Sequence, residues 1–175
     1  MNDKTPISGA AGVPSDEPTT AASDLGWMQS ALHEAALAIE HGDVPVGALV
    51  VDSTGRELSR AHNRREVDAD PTAHAEIIAL RLAARGRGHW RLDDCTLFVT
   101  LEPCAMCAGA MLNARLGRLV FGAWDGKAGA IHSLYRLAED PRQNHRFQVT
   151  PGCCDAPSVE LLQRFFKALR ARGEK

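Results

Sequence analysis

The chain has 175 residues, a length that suits one domain with a hydrophobic core. Apolar residues make up 45% and charged residues 24% of the chain, which excludes fully disordered, fibrous and coiled-coil proteins. The net charge of −2 argues against a protein that coats nucleic acid without sequence preference. Residues 136–175 nevertheless carry eight basic and five acidic side chains, which permits a local contact with a polyanion.

The sequence predicts a cytoplasmic protein. We find no stretch of about 18 consecutive apolar residues, the length that a membrane span needs, and no apolar segment behind a basic start that would direct export. The five cysteines are an odd number and lack the regular spacing of a disulfide framework. We therefore expect free thiols or metal ligands in a reducing compartment.

The first 24 residues are rich in Pro, Gly, Ala, Ser, Thr and Asp, and bulky aliphatic side chains are scarce among them. Such a segment buries too little apolar surface to offset the entropy of ordering it, so we expect a disordered tail before one domain over residues 25–172. Apolar residues then recur at helical spacing. They predict a first helix that begins at Ser23 or Asp24, either of which can cap it, and ends at Gly42.

Strands and helices alternate along the rest of the chain. The first two strands are separated by a short turn and predict a hairpin. The later alternation predicts an α/β fold with parallel strand neighbours, helices on the faces of the sheet and ligands at the carboxyl ends of the strands. The predicted strands are residues 46–51, 57–62, 96–101, 118–123 and 147–150, and the predicted helices are residues 73–85, 104–113 and 158–172.

Two short motifs combine the side chains of a metal site. His74-x-Glu76 begins a predicted helix, and Pro103-Cys104-x-x-Cys107 directly follows a predicted strand. Together they supply one imidazole and two thiols, and this order of motifs is the signature of the zinc deaminases. The two cysteines lie three residues apart at the start of a helix, so their sulfurs converge, and the free N–H groups there favour thiolates.

We predict one zinc ion per chain, held by His74, Cys104 and Cys107. A structural zinc site would need a fourth ligand. Cys95 precedes the strand 96–101 and so lies about 20 Å from the cysteine pair, whereas Cys153 and Cys154 are not excluded by this argument. An open fourth position is typical of a catalytic zinc, which lowers the pKa of bound water toward neutrality.

Glu76 is predicted to transfer protons. It lies two residues from His74, about 200° around an ideal helix, so that geometry keeps it from ligating the same ion. At a helix start it can still lie beside the water, take its proton, and deliver protons to a ring nitrogen and a leaving amine. Two alternatives stay open: a surface Glu76 that stabilises the helix N-terminus, and a redox Cys-x-x-Cys pair, which would leave His74 and Glu76 without a task.

From about Leu25 to Arg170, the chain resembles the bacterial tRNA-specific adenosine deaminases of the TadA type. The matching stretches are residues 44–48 (VPVGA), 71–77 (PTAHAEI), 99–111 (VTLEPCAMCAGAM), 121–130 (FGAWDGKAGA) and 144–146 (NHR). The resemblance implies a cytidine-deaminase-like three-layer α/β fold, with a mixed five-stranded sheet and helices on both faces. It also implies a homodimer that converts the wobble adenosine of a tRNA anticodon to inosine.

The resemblance assigns roles to further residues. Asn63 matches the position that hydrogen-bonds the substrate nucleoside, and Asp125 matches a position that contacts the RNA. Basic and aromatic residues toward the C-terminus, among them Arg146 and Phe166, are predicted to hold the anticodon stem-loop by charge and stacking. Asn144, in the matching stretch 144–146, is predicted to bind the substrate as well. Anticodon-loop bases are unpaired and can be splayed into a pocket, whereas a base inside a DNA duplex is out of reach.

Two other functions stay open at this point. Deaminases of free guanine or cytosine share the zinc signature, because each hydrolytic deamination needs the same metal chemistry. The other hypothesis is an RNA-binding module that has a structural zinc and catalyses no reaction. Glu76 discriminates against that module, since binding alone has no use for it.

Overall fold

The computed structural model describes residues 20–173, with side chains described from Ser23 onward. The tail predicted for the first residues lies largely in 1–19, outside the described residues. Helix α1 (Thr20–Ala38) begins three residues before the predicted cap at Ser23. Asp24 lies inside the helix, where its buried carboxylate pairs with Arg118 at 2.6 Å. A short 3-10 helix follows α1 and ends at Gly42, whose φ of 76° lies in the left-handed region that glycine adopts freely.

The remaining elements follow the predicted order. Strands 57–62 and 118–123 have the predicted bounds, and the predicted ends at residues 101, 113 and 150 are also observed. The remaining boundaries of these elements shift by one to three residues. The elements are β1 (Gly47–Asp52), β2 (Glu57–His62), α2 (Ala75–Arg87), β3 (Cys95–Leu101), α3 (Ala105–Asn113), β4 (Arg118–Ala123), β5 (Gln148–Thr150) and α4 (Asp155–Ala171).

The five strands form one mixed sheet in the order β2-β1-β3-β4-β5. β1 pairs antiparallel with both β2 and β3, whereas β3–β4 and β4–β5 are parallel. This arrangement confirms the predicted hairpin and the predicted mixed α/β sheet. Leu101 pairs with Ala123, so the carboxyl ends of β3 and β4 lie side by side, and the start of β1 comes to the same edge.

Helices cover both faces of the sheet and complete three layers. Alternate strand residues such as Val50, Leu97 and Leu119 face α2 and α3, and their neighbours Phe98 and Val120 face α1. This alternation follows from the two-residue period of a strand, which sends successive side chains to opposite faces. Of the helices within residues 20–173, none combines the length and the apolar character that crossing a membrane requires.

Two helix starts differ from their predicted positions for local reasons. α2 begins at Ala75 rather than 73, because the carboxylate of Asp70 accepts hydrogen bonds from the N–H and hydroxyl of Thr72 and holds a turn there. α4 begins at Asp155, three residues before the predicted start. Pro157 then lies in the first turn, where backbone N–H groups need no helical partner.

Gly47 marks the closest approach of β1 to α1. A Cβ atom at this position would collide with the backbone of Ala31 and Ala35. We expect Gly47→Ala to lower the free energy of unfolding by about 1–3 kcal/mol, because the helix must move away from the sheet. Urea denaturation measures this change. Gly26→Ala is the matched control, since a Cβ there meets nothing within 4 Å, and it should leave stability unchanged or raise it. Equal stability of Gly47→Ala and the parent would contradict this packing.

Candidate active site

His74, Cys104 and Cys107 meet beside the carboxyl end of β3, and we call them the His-Cys-Cys cluster. The Nδ1 atom of His74 lies 3.7 Å from the Cys104 sulfur and 3.6 Å from the Cys107 sulfur, and the two sulfurs are 3.7 Å apart. Around a tetrahedral zinc ion, nitrogen and sulfur ligands lie about 3.6 Å apart and two sulfurs about 3.8 Å apart. The donor set and its spacing therefore fit a metal ion.

Two helix N-termini bring the cluster together. His74 is the N-cap residue of α2. Cys104, predicted as the first residue of a helix, is the N-cap residue of α3, one position before that helix begins. Both have extended backbone angles, and their carbonyls accept the first helical hydrogen bonds, from Ile78 at 3.0 Å and Ala108 at 2.9 Å. The partial positive charge of two helix ends thus converges on the sulfurs, which favours thiolates.

The ligands perturb one another's protonation. The hydrogen bond with Cys107, together with that from His74, lowers the pKa of Cys104 to about 3. The hydrogen bond with Cys104 and burial raise the pKa of Cys107. The same Cys104 sulfur raises the pKa of His74. Since a metal ion binds thiolates and neutral imidazole, occupation of this cluster releases protons.

Glu76 is buried beside the cluster. Its side chain is 4% exposed and lines the cleft that His74 and Cys104 also line. Burial raises the pKa of Glu76, and the charge of His74 opposes that shift. The alternative of a glutamate on the surface is therefore wrong. A carboxyl with a raised pKa exchanges protons more readily near neutral pH, as a general acid and base must.

The cleft has a volume of about 160 Å³ and brings in two more residues selected from the sequence. Asn63, 8% exposed, follows β2, and its backbone N–H donates to the carbonyl of Val46 at 2.9 Å. Asp125 follows β4, and its Oδ1 atom accepts backbone hydrogen bonds from Lys127 and Ala128 at 2.9 and 3.2 Å. The other lining residues are Asp43, Val44, Val46, Arg65, Glu66, Leu101, Glu102 and Ala128.

Three selected residues lie outside this cleft. Asn144 accepts a hydrogen bond from Arg115 at 2.8 Å, near the amino end of β4 and at the opposite edge of the sheet. Arg146 is exposed in the same segment. Phe166 is 39% exposed on α4, in a separate groove lined also by Trp124, Lys127 and Arg170. Because Trp124 and Lys127 flank Asp125 in the chain, this groove adjoins the cleft.

Two buried carboxylates at the cleft carry no predicted role. Asp43, fully buried, accepts hydrogen bonds from the N–H groups of Glu66 and Val67 at 2.8 and 3.2 Å. Glu102, 2% exposed, accepts hydrogen bonds from the loop after β4. For Glu102, the available signal in the sequence is an acidic residue directly after a buried strand.

The other cysteines lie apart from the cluster. Cys95 is at the amino end of β3, as predicted, and contacts Arg87 and Asp94. Cys153 and Cys154 pack against the core on the α1 face of the sheet, whereas the cluster caps α2 and α3 on the other face. The ligand atoms of the His-Cys-Cys cluster all lie within 4.8 Å of one another.

Comparisons with known proteins agree with this site. Residues 22–170 match the family model of the MafB19-like deaminases. The tRNA-specific adenosine deaminase of Bacillus subtilis is 42% identical over 83% of this chain and 90% of the relative, and that of Haemophilus influenzae is 46% identical over 84% and 85%. A structure from a study of A-to-I editing by tRNA:A34 deaminases at the wobble position of transfer RNA matches with a TM-score of 0.75 and 43% identity, over 78% of this chain and 99% of that one.

The mixed sheet and the cluster at its edge, together with these matches, define an enzyme of the deaminase superfamily. Within that class, the chain belongs to the family of the tRNA-specific adenosine deaminases. If the two cysteines formed a redox pair, the presence of His74 and Glu76 beside Cys104 in the cleft would have no explanation.

We expect Cys104→Ala to weaken zinc binding at least about 100-fold, because it removes one of two sulfur ligands and a helix-end thiolate. Zinc retained after dialysis against a competing chelator measures this loss. Cys153→Ala, which removes a thiol on the other face of the sheet, is the matched control and should retain zinc as the parent does. Parent-like retention by Cys104→Ala would show that the cluster is not the metal site.

Proposed function

We propose that the chain holds one zinc ion with the His-Cys-Cys cluster and catalyses the hydrolytic deamination of adenosine to inosine at the wobble position of a tRNA anticodon. The observation that carries this proposal is the burial of Glu76 in the same cleft as the ligands. A protein that only binds RNA, or a zinc site that only stabilises the fold, does not need a carboxyl group at this position. The identity to relatives named tRNA-specific adenosine deaminases supports the choice of substrate.

Glu76 carries the proton transfers of the proposed reaction. When bound, zinc lowers the pKa of water toward neutrality and so supplies a nucleophile for C6 of adenine. Glu76 takes a proton from the water and delivers protons to the ring nitrogen and to the amine, which leaves as ammonia. Burial, which raises the pKa of Glu76, matches the carboxyl to both halves of this task.

Asn63 and Asp125 support a nucleoside substrate in the cleft. The amide of Asn63 offers both a donor and an acceptor, and its buried position fixes it before the substrate arrives. Asp125 lies on the opposite loop, at the opening toward the neighbouring groove. An anticodon-loop base is unpaired, so it can enter the cleft at modest cost in stacking.

The adjoining groove supports contacts to the rest of the anticodon loop. It combines the aromatic rings of Trp124 and Phe166, which are 49% and 39% exposed, with the cations of Lys127 and Arg170. Exposed rings stack on unpaired bases, and cations bind the phosphates between them. Contact of the RNA with Asn144 and Arg146, at the far edge of the sheet, stays a prediction.

We further propose that the enzyme acts in the cytoplasm, where a tRNA substrate is found, and that it acts as a homodimer, which the family resemblance predicts. Light scattering on the zinc-loaded protein, with and without an anticodon stem-loop, measures the number of chains in the active species.

We expect Glu76→Gln to keep the fold and to bind zinc as the parent does, while kcat falls about 10²- to 10⁴-fold, because the amide cannot accept the proton. The assay incubates zinc-loaded protein with bulk bacterial tRNA and sequences the products for adenosine that is read as guanosine. Glu40→Gln, which neutralises an exposed carboxylate in the 3-10 helix after α1, is the matched control and should react as the parent does.

Three outcomes of this assay are distinct. A change confined to a wobble position and lost in Glu76→Gln supports both the substrate and the role of Glu76. Full activity of Glu76→Gln would rule out the assigned proton transfer. An unchanged tRNA pool with folded, zinc-loaded protein would rule out the proposed substrate, and ammonia release from free guanine, cytosine and adenine would then identify a free-base deaminase.

We expect Arg170→Ala to weaken tRNA binding about 3- to 10-fold and to reduce by about one the slope of log K against log salt concentration, because one phosphate contact is lost. Filter binding over a salt series measures both quantities. Arg56→Ala removes an exposed cation from the β1–β2 turn, at the end of the sheet away from the cleft, and should leave the slope unchanged. An unchanged slope for Arg170→Ala would exclude this phosphate contact.

A further inference from the structure

Glu102 links the end of β3 to the loop that follows β4. Its Oε1 atom accepts hydrogen bonds from the backbone N–H groups of Ile131 at 3.2 Å, His132 at 2.8 Å and Ser133 at 2.9 Å. Its Oε2 atom accepts from the backbone N–H of Asp125 at 3.1 Å and from the Ser133 hydroxyl. Five donors from one loop therefore converge on a single carboxylate that is 2% exposed.

The loop closes tightly around that carboxylate. A Cβ atom at Gly129 would collide with the carboxyl carbon and one oxygen of Glu102, so the lack of a side chain there admits the anion. The N–H of Ala130 donates to the carbonyl of Pro103 at 2.8 Å, and Gly129 forms an isolated bridge with Cys104. The segment that follows Glu102 and contains Cys104 is thus also paired with the loop after β4.

The carboxylate of Glu102 and the backbone of the loop after β4 stabilise each other. Backbone N–H groups in an irregular loop lack the partners that a helix or a strand supplies, and leaving them unpaired in a buried place is unfavourable. A carboxylate that accepts several such hydrogen bonds satisfies them with charge-assisted bonds and is itself compensated for its burial. The amide of glutamine has the same shape, but its NH₂ group would face the N–H donors of the loop. At least one of these hydrogen bonds would then be lost.

The same loop supplies one side of the substrate site. Asp125 and Ala128 line the cleft, and Trp124 and Lys127 line the groove beside it. We propose that Glu102 is a positioning residue, which holds the loop 124–133 in the conformation that receives the target nucleotide and its neighbours. Glu102 acts through the backbone of the loop. The positioning of this loop is a property of the chain itself, and only its effect on tRNA rests on the proposed function.

The first measurement follows the loop directly through Trp124. In a Trp27→Phe, Trp90→Phe background, Trp124 is the single tryptophan, and acrylamide quenching of zinc-loaded protein reports its mobility. We expect Glu102→Gln to raise the quenching constant about twofold or more at temperatures well below unfolding. Parent-like quenching in folded Glu102→Gln would overturn the proposal.

The second measurement follows the substrate. We expect Glu102→Gln to lower kcat/KM for tRNA about 10- to 100-fold, with most of the change in KM, while zinc retention stays that of the parent. Ser59→Ala is the matched control, because it removes a buried hydroxyl that donates to the carbonyl of Ala79 at 2.8 Å between β2 and α2. It should lower thermal stability without changing KM or the quenching of Trp124. An equal rise of KM in both variants would reduce Glu102 to a stability residue.

A milder variant decides the matter if Glu102→Gln does not fold. Ser133→Ala removes the hydroxyl that donates to Glu102. We expect it to raise the quenching constant of Trp124 and KM by smaller factors, and parent-like values of both would overturn the proposal. If the parent leaves tRNA unchanged, the proposed function fails, whereas the quenching of Trp124 still decides the role of Glu102.

Discussion

The parallel pairing of β3 with β4 brings two segments that are separate in the sequence to one edge of the sheet. Two parallel strands need a crossover, and here α3 is that crossover. The crossover must start at the carboxyl end of β3, so the N-terminus of α3, with Cys104, lies at this edge. The chain leaves β4 at the same edge, because Leu101 and Ala123 are paired. Metal ligands and the outer loop of the cleft therefore share one location.

Buried carboxylates hold both sides of this location. Asp43 binds the backbone N–H groups of the segment after β2, and Glu102 binds those of the segment after β4. Neither segment has regular secondary structure to pair its N–H groups, so each depends on an anion supplied from another part of the chain. Glu76 is a further buried carboxyl at this location, and burial raises its pKa. Two carboxylates that accept backbone hydrogen bonds thus hold the segments that line the cleft, whereas Glu76 lies beside the His-Cys-Cys cluster.

Local patterns in the sequence predicted most of the fold and the three residues that form the His-Cys-Cys cluster. The predicted and observed bounds of β2 and β4 agree because the turn and loop residues that border these two short segments are local signals. The start of α1 was misplaced because Asp24, which can cap a helix, instead pairs with Arg118, 94 residues away. Glu102 stayed without a role for a similar reason, since its partners are 23 to 31 residues away in an irregular loop. Motif spacing thus predicted which residues form the cluster. The positions of Asp24 and Glu102, in contrast, depend on hydrogen bonds to residues that are distant in the sequence.

The cluster draws its ligands from two helix starts 30 residues apart, joined through a strand in the middle of the sheet. In an unfolded chain, bringing the three ligands together around an ion costs conformational entropy. In the folded chain the sheet already holds these residues close together, so binding the ion does not carry this cost. A metal ion that needs all three ligands therefore binds the folded chain far more tightly than the unfolded one and stabilises it by mass action. For such a protein, the fraction of folded molecules depends on the concentration of the metal ion.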